Sequence, residues 1–242
     1  MEQPRLRLFD TIRGFSVVSM VGFHLCYDLV FLAGIDVAWF HPPLQDIWRA
    51  SISWTFLLVA GCMCCFSRDN LRRAIRYGAL AAGIFVATSI ASVDAPINFG
   101  IIYCMAACTF AQWALQRMGC KPYGPVAACA LGLCFVLCLN VSRGYVGVGP
   151  ASIRLPSALF ATPWLSWLGF PGPGFVSSDY YPLLPFVLLY LCGSSLGWWW
   201  KDRGFPDVFT KGFAPLEAVG RHPLEVYVAH QPILLLLTGT LW

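Results

Sequence analysis

Asp10-Thr-Ile-Arg-Gly-Phe-Ser-Val-Val-Ser-Met-Val-Gly-Phe-His-Leu-Cys-Tyr-Asp28 is the stretch whose reading decides the fold. From Ile12 to Ala33 the chain is predominantly apolar, and a helix crossing a bilayer needs about 17–25 such residues. Inside this segment stand His24 and Asp28. At a spacing of i and i+4 they share one helix face, with Cβ atoms about 5–6 Å apart. Ionisable groups are costly to hold inside a membrane, so their presence there points to a function.

The rest of the chain repeats the apolar pattern. Of 242 residues, 58% are hydrophobic and 12% are charged, against about 25% charged in a soluble domain. Apolar blocks fall at Ile12–Ala33, Trp48–Phe66, Tyr77–Val93, Phe99–Gln116, Tyr123–Val141, Tyr181–Trp200 and His222–Leu241. The expected class is an all-α integral membrane protein with about seven transmembrane helices, folded as a single domain over 1–242. The third block is rich in Gly, Ala, Ser and Thr, which predicts packing against neighbouring helices rather than against lipid. A long external connection is expected from Ser142 to about Asp179.

Charge sets the expected orientation. With these spans, 13 of the 16 basic residues fall on one side, and Arg49, Arg143 and Arg154 remain for the other. The positive-inside rule then puts the N-terminus in the cytoplasm and, with an odd number of spans, the C-terminus outside. The net charge of +4 reads as a topology signal, and no nucleic-acid patch is evident. The first block is too long for a signal-peptide core and lacks a clear small-residue cleavage site, so it is expected to stay as a span.

Eleven cysteines are present, most of them inside the apolar blocks, where Cys packs as a small hydrophobe. Cys62-Met-Cys64-Cys65 has no second pair at metal-binding distance, so neither a metal nor a redox site is expected. Polar residues gather in three places. The first is His24 and Asp28, with His41 in the following external loop. The second is Gly220-Arg-His-Pro-Leu-Glu-Val-Tyr-Val-Ala-His-Gln-Pro232, where Arg221 and His222 open a helix and His230 and Gln231 lie deeper. The third is Pro171-Gly-Pro-Gly-Phe-Val-Ser-Ser-Asp-Tyr-Tyr-Pro-Leu-Leu-Pro185, a turn-forming run that brings Asp179 and Tyr180 to the outer mouth. Arg49 adds a cation at the same level.

Together these runs resemble the membrane acyltransferase family of the heparan-α-glucosaminide N-acetyltransferase catalytic domain. The resemblance is carried by Asp10-Thr-Ile-Arg13-Gly14 with Met20-Val-Gly-Phe-His24, by Asn98-Phe-Gly-Ile-Ile-Tyr-Cys104, by Asp179-Tyr-Tyr-Pro-Leu-Leu-Pro185 and by the Gly220–Pro232 run. It covers most of the chain and is similar to the bacterial branch, in which His often stands where this chain has Tyr103. It implies a multi-pass protein of the bacterial plasma membrane, transferring an acetyl group from cytoplasmic acetyl-CoA to a sugar or amine acceptor on the far side. A homodimer is compatible with it.

In the lysosomal branch an Asn stands at the position of His24, and the active histidine lies in the next external loop. His24, with Asp28, is therefore expected to carry catalysis, and His41 is its competitor. The resemblance also implies site roles for His230 and Asp179.

A thioester is already activated, so positioning and proton removal are the remaining tasks. A neutral His24 serves as base or as acetyl-accepting nucleophile, and Asp28 steadies the imidazolium. Gln231 or Tyr103 would supply an oxyanion donor. Arg49, Tyr103, Asp179, Tyr180, His230 and Gln231 make up the expected substrate site, and Arg13 and Arg221 the CoA phosphate site. Two other readings stay open: a transporter with a His24–Asp28–His230 proton relay, and a haem protein with His24 and His230 as axial ligands.

Overall fold

The computed structural model describes residues 5–239. They are mostly helical, with a single two-stranded sheet among the described residues. The chain divides into two compact units. The first holds residues up to Val59 together with Gly204 onward, and the second runs from Ala60 to Arg203. Five helical segments are long and apolar enough to cross a membrane: Arg7–Leu32, Leu44–Phe66, Asn70–Ala91, Gly124–Arg143 and Leu183–Arg203.

In the first unit, α1 (Arg7–Tyr27) continues into a π-helical turn over Asp28–Leu32. Alongside it stand α2 (Leu44–Cys62) up to Val59, the short α7 (Ala214–Gly220) and α8 (Pro223–Thr238). Two glycines let α1 and α7 meet backbone to backbone. A Cβ on Gly14 would lie 1.9 Å from the Leu216 carbonyl oxygen, and one on Gly220 would lie 1.8 Å from that of Asp10. Neither position has room for any larger residue.

Buried carboxylates lie at the same crossing, and one of them, Glu217, bridges α7 to α1 through Arg7. Asp10 takes Arg5 at 2.7 Å and also pairs with Arg13. Glu217, 1% exposed, takes Arg7 at 2.9 Å and Arg221 at 3.4 Å. Each buried acid thus has two arginines, which offsets the desolvation cost of the charge. Further along, Trp48 Nε1 of α2 donates to Ser19 Oγ of α1 at 2.7 Å, within an aromatic cluster of Phe23, Phe40 and Trp48.

The second unit is built from α3 (Asn70–Ala91), α4 (Ile101–Arg117), α5 (Gly124–Cys138) and α6 (Leu183–Arg203). α3 packs on α4, and α6 packs on α5 and α4. Thr109 and Tyr190 hydroxyls meet at 3.1 Å between α4 and α6.

One sequence expectation is corrected here. Only 6% of the apolar window of α3 is buried, so its small side chains do not enclose it among neighbours; the helix lies on α4 along one side and is otherwise open. The long connection after α5 contains a short hairpin, β1 (Tyr145–Val146) against β2 (Ile153–Arg154), and several 3-10 turns. The connection between α6 and α8 holds the short helix α7. α4 has 17 residues and α8 has 16, fewer than the five apolar segments. The end of the seventh block, at Leu241, lies outside the described residues.

Candidate active site

Four of the expected residues come together in the first unit. The imidazoles of His24 on α1 and His230 on α8 face each other with ring centroids 4.9 Å apart and planes tilted by 53°. One turn beyond His24, the Asp28 carboxylate receives both of its oxygens' contacts from Gln231 Nε2, at 2.9 and 3.1 Å. Asp28 is 0% exposed, so it is enclosed by protein. It also opens the π-helical turn, where Ala33 N–H reaches the Asp28 carbonyl at 2.8 Å. Such turns inside α-helices are frequent at functional sites.

His230 has a readable tautomer. Its Nδ1 lies 2.5 Å from the Tyr227 carbonyl oxygen, which can only accept, so Nδ1 carries the proton. Nε2 is then a bare lone pair. It is buried and has no hydrogen-bond partner among the described residues, on a residue that is 7% exposed. Pro232, inside α8 two residues on, cannot donate to the Val228 carbonyl and loosens the helix at this depth.

The other histidines differ. The His41 side chain is 58% exposed and stands 3.8 Å from Asp36. His222 caps α8 and lies 3.5 Å from Glu225 at the surface. Arg49 pairs with Asp46 at 3.0 Å, with both side chains exposed. Arg13 and Arg221 are held by Asp10 and Glu217, as above. Gln231 Nε2 donates to Asp28, and its carbonyl oxygen is unpartnered among the described residues.

The second unit carries its own cluster. Asp179 Oδ2 accepts the Ile101 backbone N–H at 3.0 Å, placing a carboxylate at the positive start of α4. Phe99 stacks on Phe175 at 6.0 Å and touches Tyr103 at 4.9 Å, and Phe175 touches Tyr180 at 4.8 Å. Tyr180 donates its hydroxyl to the Ser166 carbonyl at 2.6 Å. Burial pushes the Tyr180 phenol up to about 12, so it stays a neutral donor at neutral pH.

Sequence reading missed Glu217, although its spacing of four residues from Arg221 signals a helical ion pair. Cysteines 62, 64, 65, 104 and 108 are buried as thiols, in keeping with packing roles. Among the described residues no group of three His, Cys, Asp or Glu side chains is placed to hold a metal ion. The His24 and His230 rings, tilted and 4.9 Å apart, leave no slot for a macrocycle between them.

These features define a helical membrane protein with a facing imidazole pair, one ring half-buried and the other buried. The family of the heparan-alpha-glucosaminide N-acetyltransferase catalytic domain matches residues 5–232, nearly the whole chain. The chain belongs to that family, which implies acyltransferase activity. No curated protein and no solved structure matches it.

Proposed function

We propose that the protein is an acetyl-CoA-dependent transferase that moves an acetyl group from the cytoplasmic side to an amino or hydroxyl group of a sugar-like acceptor on the far side. The observation that carries this reading is the facing His24–His230 pair beside Asp28 and Gln231, in a chain of an acyltransferase family. The topology that goes with it has seven spans, α4 and α8 included, with the N-terminus cytoplasmic, the C-terminus outside and the plasma membrane of a bacterium as its place. The basic residues collected on one side support it. The family match extends across both compact units, which supports one catalytic domain rather than two.

The chemistry follows from the imidazoles. The acceptor nitrogen or oxygen attacks the thioester carbonyl carbon and passes its proton to an imidazole nitrogen. The carbon–sulfur bond then breaks, and coenzyme A leaves as thiolate to be reprotonated. His24 is the assigned base, and the Nε2 lone pair of His230 is a second acceptor for the proton. The imidazolium formed on His24 lies one turn from the Asp28 carboxylate, which holds it without a mobile counter-ion. A covalent acetyl-imidazole is the alternative course for the same pair. Arg13 and Arg221 are assigned to the CoA phosphates; each already shares a buried acid with another arginine, which leaves guanidinium N–H groups for a phosphate. Tyr103 and Arg49 are assigned to the acceptor, and Asp179 and Tyr180 to shaping the place where it binds.

The test is purified protein in vesicles supplied with labelled acetyl-CoA on one side and a panel of amino and hydroxyl sugars on the other. Acetyl transfer by the parent, lost in His24→Ala and retained in His41→Ala, supports the assignment. Substrate flux without acetyl-CoA would replace it with the transporter reading.

A further inference from the structure

A second polar site lies in the second unit, where the start of α3 meets the ends of α4 and α6. It is a cleft of about 350 Å³ lined by Arg68, Asp69, Asn70, Gln116, Arg117 and Trp198, among others. α3 and α6 are both apolar enough to cross a membrane, and the cleft opens at their polar ends. That is the depth of lipid headgroups, where Trp and basic residues collect.

Two features go beyond a charged surface. Trp198 carries two cations against its ring, with Lys121 Nζ 3.7 Å and Lys201 Nζ 5.0 Å from the centroid. Lys201 is also fixed by donating to the Cys65 carbonyl at 2.6 Å. Independently, two buried polar atoms at the cleft lack partners among the described residues: the acceptor Asn70 Oδ1 and the donor Trp198 Nε1. Asn70 is only 8% exposed, and its Nδ2 is already taken by the Cys64 carbonyl at 3.2 Å, which fixes the orientation of the amide. A buried acceptor and donor left open together cost free energy unless a ligand or water meets both.

A ligand that meets both atoms has an anionic acceptor for Arg68, Arg117 and the Trp198 N–H, and a hydroxyl-type donor for Asn70 Oδ1. The cleft's own formal charge is +1, from Arg68 and Arg117 against Asp69. We propose that this cleft seats the headgroup of an anionic phospholipid, a phosphodiester of charge −1 whose alcohol carries free hydroxyls. Basic pockets between membrane helices bind such headgroups, and the guanidinium fork matches a phosphodiester. Asp69 is explained as well: its side chain caps α3 by accepting the Arg72 N–H at 2.9 Å and keeps a second oxygen for the alcohol. The site is independent of the acyl-transfer reading.

The test is native mass spectrometry of the detergent-purified full chain with dioleoylphosphatidylglycerol, dioleoylphosphatidylcholine and dioleoylphosphatidic acid. The expected result is retention of phosphatidylglycerol at least tenfold above phosphatidylcholine, with phosphatidic acid between them for want of the alcohol. Arg68→Gln with Arg117→Gln is expected to remove that preference, and Arg68→Lys with Arg117→Lys to keep part of it. Equal retention of phosphatidylglycerol and phosphatidylcholine by the parent overturns the proposal even if the Gln variant fails to fold. An unchanged preference in a folded Gln variant overturns it too. Displacement of phosphatidylglycerol by 3′,5′-adenosine diphosphate or inorganic phosphate contradicts it in favour of a soluble phosphate ligand.

Discussion

The His24–His230 cluster and the Asp179–Tyr180 cluster contain similar residues but use them in opposite ways. In the first, polar side chains meet other polar side chains, and atoms are left over: His230 Nε2 and the Gln231 carbonyl oxygen. In the second, the polar atoms serve the backbone. Asp179 holds the first amide of α4, Tyr180 holds Ser166, and Ser177 holds the Asp179 carbonyl. Leftover buried capacity is costly in a folded protein, and chemistry is what recovers it. Polar atoms satisfied by backbone mainly fix shape.

That contrast is open to attack at several points, in descending order of effect. His230→Ala removes a proton acceptor and is expected to slow acetyl transfer by about 10²–10⁴-fold with the thermal midpoint little changed; steady-state rates beside a melting curve check this. If His230→Ala lowers the thermal midpoint while the folded fraction keeps the parent rate, the first cluster is architectural after all. Gly14→Leu forces a side chain into the α1–α7 backbone contact and is expected to destabilise by about 3 kcal/mol or more, read as lost folded yield. Asp179→Asn keeps shape but drops the charge at the start of α4, with an expected loss of about 1 kcal/mol and little change in acceptor KM. A large rise in KM with no stability change would move Asp179 into direct substrate contact.

Tyr180→Phe gives the smallest effect, about 0.5–1.5 kcal/mol for one hydrogen bond. Its pH behaviour follows from the raised phenol: the folded protein favours the neutral form, so the contribution is full below the ordinary tyrosine range and fades only as pH rises toward about 12. Parent and Tyr180→Phe should therefore keep a constant stability difference from pH 6 to about 9.

Much of the fold was legible because hydropathy is local. The first two blocks, Ile12–Ala33 and Trp48–Phe66, fall on the helical segments Arg7–Leu32 and Leu44–Phe66, and Pro223 sits in the first turn of α8 as its position predicts. The His24–Asp28 spacing also pointed to a real cluster. What stayed hidden depends on pairs about 200 residues apart. No local pattern joins Asp28 to Gln231, or Arg7 to Glu217, and the short helix α7 has too few residues to show a period. The motif runs gave no reason for Gly14 and Gly220, whereas in the fold each is the place where one backbone touches another. α3 misled for the reverse reason: small residues permit close packing but do not supply the partner, and most of its surface is open.

The most direct measurement is a single-turnover acetyl-transfer assay on purified parent, His24→Ala and His41→Ala proteins in vesicles, with folding of each verified by thermal unfolding. The predicted result is transfer abolished in His24→Ala and close to the parent rate in His41→Ala. Transfer at the parent rate by folded His24→Ala would contradict the assignment of catalysis to the His24–His230 pair.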